Sequence, residues 1–233
     1  MITFILKLLI LFYLFYMIRY IHDMLQHKND ASIVTINVPH KERILGELKG
    51  KQPLVVLFSD NNLGLTFESM NKKIPGYIIK DGETLVSLDK LLQSDTFSIH
   101  KNTNLVKDYQ LSEYNLNIYD YFSTSLHCGK SIYLSLYKGS QSIPLTKNYR
   151  EHLLIQPLIG KVIMYLFNPK HEKDIKGLTS IKKWAIKVEL QKDQVLSIPC
   201  EWSYFYELSE DVILSHIEYD SYCSFPFNYI RNK

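Results

Sequence analysis

Hydrophobic positions along this chain follow two different periods. From Ile2 to Ile18 the run is apolar and carries a single charge, Lys7. It has no polar face, so it predicts a helix that does not pack as an amphipathic core element. At 1.5 Å per residue it is roughly 25 Å long, against ~30 Å for a bilayer's hydrocarbon core. Tyr20 and Ile21, or snorkelling of Lys7, close the gap. The aromatic rings Tyr13, Phe15, Tyr16 and Tyr20 gather toward the carboxyl end, where amphipathic rings suit an interface. No Ala or Gly lies near the end of the run at Met17–His22, so a cleavable signal peptide is disfavoured and a retained anchor over residues 1–21 is expected. Residues 22–32 read as a polar tether.

From Ile33 onward the period shortens to that of strands. Ile33–Val38 stops at Pro39, and Leu54–Phe58 is bounded by Pro53 and by Ser59, Asp60 and Asn61. Tyr77–Lys80 leads into an Asp81-Gly82 turn. Leu85, Leu88, Leu91 and Leu92 have helical spacing, and Asn117–Phe122 reads as a second short helix. Ile132, Leu134 and Leu136 share one strand face. Val162–Phe167 is apolar at every position, as in a strand buried on both faces. Ala185–Leu190, Val195–Ile198 and Val212–Glu218 complete the series. Short strands with turn signals every roughly 8–12 residues predict a mainly β sandwich or barrel with a few peripheral helices, over residues 33–233.

Composition narrows the function classes. Of 233 residues, 46% are hydrophobic and 22% charged, enough for one cored domain plus an appendage. A net charge of +3 is too small to indicate a nucleic-acid partner. Cys128, Cys200 and Cys223 are odd in number and widely spaced, which predicts neither a disulfide framework nor a zinc site. Arg19, Lys28, Lys41, Arg43, Lys49 and Lys51 follow the apolar run, while only Lys7 and the amino terminus precede its centre. That bias predicts a single-pass membrane protein with its large domain on the cytosolic side.

Three landmarks carry a resemblance. They are Ile143-Pro144-Leu145, then Gln156-Pro157-Leu158-Ile159-Gly160-Lys161, then Pro199-Cys200-Glu201-Trp202-Ser203-Tyr204. In this order the chain resembles the Jumonji C-type, cupin-like domains, and is similar to uncharacterised cupin-like proteins of large DNA viruses. The resemblance implies a double-stranded β-helix, a jelly roll whose interior holds Fe(II) and 2-oxoglutarate. It implies metal ligands at Thr146, Asn148 and Tyr204, and a cosubstrate-pairing role for Lys161.

The residues at those positions do not suit the metal. A facial triad uses two imidazoles and a carboxylate. Thr146, Asn148 and Tyr204 offer a hydroxyl, an amide and a phenol, none charged near neutral pH without a large shift. The chain is therefore expected to bind no metal and no cofactor, with these three as remnants of a degenerate site and Lys161 as an exposed lysine. The alternative is an Fe(II)/2-oxoglutarate-dependent hydroxylase with non-standard ligands such as His152 or His216. His216, Glu218 and Asp220 alternate, which fits the solvated face of an edge strand better than a cation site. His127 and Cys128, as strand neighbours, point to opposite faces and do not make a nucleophile–base pair. The aromatic residues Phe225, Phe227 and Tyr229 also alternate, as in a sheet. The expected function is a membrane-anchored, catalytically inactive module that binds or scaffolds an unidentified protein or small molecule.

Overall fold

In the computed structural model, residues 2–26, 32–58, 64–81, 84–171 and 181–231 are described. The expected Asp81-Gly82 turn, the Ser59–Asn61 boundary and tether residues 27–31 fall outside them, wholly or in part. Helix α1 (Ile2–Met24) is about 34 Å long at 1.5 Å per residue, enough by length and composition to cross a membrane. Residues 3–16 are exposed, whereas Met17, Tyr20 and Ile21 are half-buried and Met24 is buried. That spacing is one helical stripe, and it is the stripe by which α1 touches the domain.

Two sheets stack face to face. The larger runs β1 (Val34–Ile36), β2 (Leu54–Leu57), β11 (Gln194–Pro199), β8 (His152–Ile159), β13 (Val212–Ser221), β6 (His127–Lys138) and β5 (Phe97–Asn102). The smaller runs β10 (Ile186–Leu190), β9 (Val162–Phe167), β12 (Ser203–Leu208) and β7 (Gln141–Lys147). From β6 to β13 the chain passes repeatedly between the two sheets, so strands adjacent in space are distant in sequence. This is jelly-roll order. A separate hairpin pairs β3 (Ile78–Asp81) with β4 (Thr84–Ser87).

The strand periodicity places the core. Leu153 and Ile155 of β8, Val212 and Leu214 of β13, and Met164, Leu166, Tyr204 and Tyr206 of the small sheet meet between the sheets, with Trp202. The opposite parity of the large sheet, Leu154, Ile217 and Tyr219, packs under α2 (Lys41–Leu48) and α6 (Ser112–Phe122). Further along that face, Leu134, Leu136 and Ile213 are covered by α3 (Phe67–Lys73), α4 (Leu88–Gln93) and α5 (Thr103–Asp108). Local capping sets two of these short helices. Thr66 and Ser69 form a capping box on α3, and the Asn102 side chain accepts from the amides of Asn104 and Leu105 on α5.

Several expectations change. Leu85 belongs to β4, and only Leu88 onward is helical. The chain around Phe225, Phe227 and Tyr229 is helix α7 (Phe225–Arg231), not strand. Pro226 lies in its first turn, where a missing N–H costs nothing. The His216–Asp220 stripe is not on an edge: β13 lies between β6 and β8, and His216 and Asp220 are fully buried. Gly160 turns β8 into β9 with φ +73°, and a Cβ there would lie 2.4 Å from the Asp211 carbonyl oxygen, so no side chain fits.

Candidate functional site

The positions named by the resemblance cluster at one end of the β7–β12 pair. Thr146 and Tyr204 are register partners, and the Asn148 amide donates to the Trp202 carbonyl at 2.9 Å. Their side chains do different things. Thr146 is exposed, and its hydroxyl donates to the Pro144 carbonyl at 3.2 Å. Asn148 is buried. Its Nδ2 donates to the carbonyls of Ile198 (2.8 Å) and Pro199 (3.0 Å), and its Oδ1 accepts from the Arg150 amide at 3.0 Å. The side chain thus staples the Pro199–Trp202 turn. Tyr204 is buried in the inter-sheet core, and burial, with Glu218 and Tyr137 nearby, raises its phenol far above the usual range. This donor set does not fit a divalent cation. Lys161 is exposed at the β8–β9 turn.

The interior around Tyr204 is polar but internally paired. Tyr137 and Tyr206 share a hydroxyl–hydroxyl bond of 2.7 Å, and Tyr137 also meets His100 Nδ1 at 2.6 Å. Glu218 pairs with Lys101 and lies 3.6 Å from Arg150 Nε, while Arg150 Nη1 holds Asp220 at 3.0 Å. His216 and Trp202 stand apart: neither ring nitrogen of His216 has a hydrogen-bond partner, nor does Trp202 Nε1. Burial, then the charge of Lys101 and the nearby His100, holds the His216 pKa well below the ordinary histidine value.

His152 and His216 lie on opposite faces of the large sheet. His216 pairs with Ile155, an inner residue, whereas His152 pairs with Tyr219 and stacks on its ring. They cannot chelate one ion. Among the described residues no group of three or more His, Cys, Asp or Glu is arranged to hold a metal.

A second site lies on the outer side of the large sheet and was not foreseen. Here a cavity of about 480 Å³ opens between the last turns of α1, helix α2, and the ends of β8, β11 and β13. At its floor sits Glu151, 8% exposed. Tyr20 of α1 donates to Glu151 Oε1 at 2.5 Å. The Ser221 amide (3.0 Å) and the Ser224 hydroxyl donate to Oε2. His127 Nε2 stands 3.9 Å from Oε1. Burial alone would raise this carboxyl. The donated bonds and the neighbouring His152 outweigh it and hold Glu151 well below the usual carboxylate range.

The protonation of His127 follows from its contacts. The Thr124 amide donates to His127 Nδ1 at 2.8 Å, so Nδ1 is the acceptor and the proton sits on Nε2, facing Glu151. His152 lines the same cavity, 8% exposed, and its Nδ1 has no hydrogen-bond partner. Burial lowers its pKa to about 4, so the ring is neutral near pH 7. Cys200 and Cys223 also line the cavity. Burial raises both thiols, Cys200 to about 12, and burial raises Cys128 as well. None supplies a thiolate near neutral pH. The arrangement can bind and orient a neutral group; it lacks an activated nucleophile.

This second site escaped sequence reading because its parts come from six distant segments. The one local signal is the Glu151-His152 dipeptide, two ionisable groups opening a strand that is otherwise apolar apart from Gln156.

No protein-family model matches this sequence, and no curated protein does. Among solved structures, the chain is similar to the coconut allergen cocosin at 15% identity, over 40% of this chain and 22% of that one, with a TM-score of 0.32. The chain thus spans about a fifth of that protein's length.

Proposed function

We propose that this chain is a membrane-anchored, diverged cupin-like domain of the Jumonji C type that binds or scaffolds rather than catalyses. The observation that carries the reading is Asn148. It stands where the resemblance puts a metal-binding carboxylate, yet its side chain bonds the carbonyls of Ile198 and Pro199 and the Arg150 amide. Tyr204, in place of an imidazole, is a core residue. The apolar helix α1 supports the anchor, and the Lys and Arg residues that follow it support a cytosolic domain. The partner is a protein or a small molecule, with no part for nucleic acid.

The test is a thermal titration of the detergent-solubilised full chain with Fe(II) and 2-oxoglutarate, together and singly. No shift is expected. Binding would stabilise the domain by about 2.7 kcal/mol at a hundredfold excess over the dissociation constant. A shift of that order that disappears in His216→Leu or His152→Leu would establish the hydroxylase instead.

A further inference from the structure

Three features define what the outer cavity can accept. First, its walls are mostly apolar and its size falls within the ~300–1,000 Å³ typical of small-molecule sites. Second, two of its walls, Tyr16 and Tyr20, belong to α1, so the cavity lies beside the point where the apolar helix leaves the domain. Exposed Leu126 and Tyr222 also line it, so its mouth is apolar. Third, its charges balance. Lys49 and Lys51 are set against Asp23 and Glu151, and Glu151 is already saturated by its own donors. The cavity therefore selects neither an anion nor a cation. The His152 ring lines the wall and no described hydrogen bond engages it; Nδ1 is sealed from solvent, which leaves Nε2 as the ring nitrogen open to the cavity. A ligand hydroxyl can bond that nitrogen.

We propose that this cavity holds the acyl chain of an uncharged membrane lipid, whose hydroxyl-bearing head bonds His152. The inference rests on the anchoring reading above, because the bilayer supplies the ligand at the depth where α1 emerges. An acyl chain fits the apolar walls. A neutral, hydroxylated head fits the balanced rim and the ring nitrogen that His152 turns to the cavity.

The test uses the full chain reconstituted into phosphatidylcholine nanodiscs. The probe is monopalmitoylglycerol with a photoreactive group in its acyl chain, and crosslinked peptides are read by mass spectrometry. Label is expected on the segments around Leu48 and Leu126. Unlabelled monopalmitoylglycerol should compete at least tenfold better than palmitate at pH 8. Cys200→Phe, which fills the cavity, and Leu126→Arg, which alters only the exposed mouth, should each reduce label at least tenfold. If both variants fold and label as wild type, or label stays on residues 2–15 of α1, the inference is overturned. Equal competition by palmitate overturns the uncharged head. An alkaline carbonate wash separates the two readings. Retention of the chain in membranes without cavity label refutes this inference alone, and release of the wild-type chain refutes the anchor itself.

Discussion

The inner and outer faces of the large sheet bury one unpaired histidine each, and the surroundings of the two differ. His216, on the inner face, sits in a closed layer where Trp202, Tyr204 and Tyr206 fill the space between the sheets. His152, on the outer face, borders an open cavity at whose floor Tyr20, Ser221 and Ser224 gather on one carboxylate. The interior spends its polar groups on one another, in the His100–Tyr137–Tyr206 chain and the Lys101–Glu218 pair. The outer site spends its own on joining α1 to the domain. Two of the positions named by the resemblance, Asn148 and Tyr204, therefore hold the structure together, whereas the vacant volume lies where no motif pointed.

The comparison breaks first at Trp202, which is 1% exposed between the sheets. Trp202→Ala should destabilise the domain by about 3–5 kcal/mol in chemical denaturation, because the closed layer cannot collapse around the loss. Leu126→Ala, at the open mouth of the other site, should stay within about 0.5 kcal/mol. Equal costs would mean that the two regions are equally packed.

Acid should act on both regions with the same sign. His152 has its folded pKa lowered to about 4, against roughly 6.5 when unfolded. Between those values the unfolded chain binds the extra proton, so stability is full above about pH 6.5 and falls as pH drops toward 4. The loss for this group is about 3 kcal/mol. His216 contributes in the same direction. Glu151, also depressed, adds its loss only below its unfolded value of about 4.3. Urea midpoints measured from pH 8 to 4 should flatten by separate shares in His152→Leu and His216→Leu. At pH 7, His216→Leu should also raise stability by about 1–2 kcal/mol, since two buried nitrogens lose their desolvation cost. A flat profile in the wild type would show that neither ring is buried neutral.

Tyr20→Phe removes the bond between α1 and Glu151. A hydrogen bond to a charged group contributes about 1.5–3 kcal/mol, and thermal unfolding of the detergent-solubilised chain should show a loss of that size. Loss of folding altogether would make α1 a core helix. The smallest effect is expected at Lys161, exposed on its turn. Lys161→Ala should change stability by under about 0.5 kcal/mol and leave the response to 2-oxoglutarate unaltered.

The strands of the jelly roll were legible where burial follows parity. Alternation in β10 reflects a face covered on one side, and the apolar runs of β9 and β11 reflect faces covered on both. Two of the helices were read in part, α4 from its leucine spacing and the end of α6. Helices α2, α3 and α5 were not; they span about two turns each, and α3 and α5 depend on cap bonds more than on an apolar stripe. Helix α7 misled because its aromatic residues alternate while Pro226 starts a helical turn. Thr146, Asn148 and Tyr204 were named together by the resemblance, through their places after the Pro144-Leu145 and Pro199–Trp202 landmarks. The bonds of Asn148 were not legible, because their acceptors are backbone carbonyls some 50 positions away. The outer cavity left almost no trace, since Tyr20, His127, Glu151 and Ser221 meet only after the sheet closes.

The pairing of β13 between β6 and β8 also sets a timetable for folding. Tyr137 finds its partner Val212 roughly 75 residues later in the chain. At a synthesis rate of about 5–20 residues per second, β6 waits on the order of several seconds for the strand that completes its ladder. The large sheet closes last, from its middle rather than from an edge. Truncation before Val212 therefore removes this internal strand, and a nascent chain halted there keeps both neighbours as open edges, ready to pair with another chain.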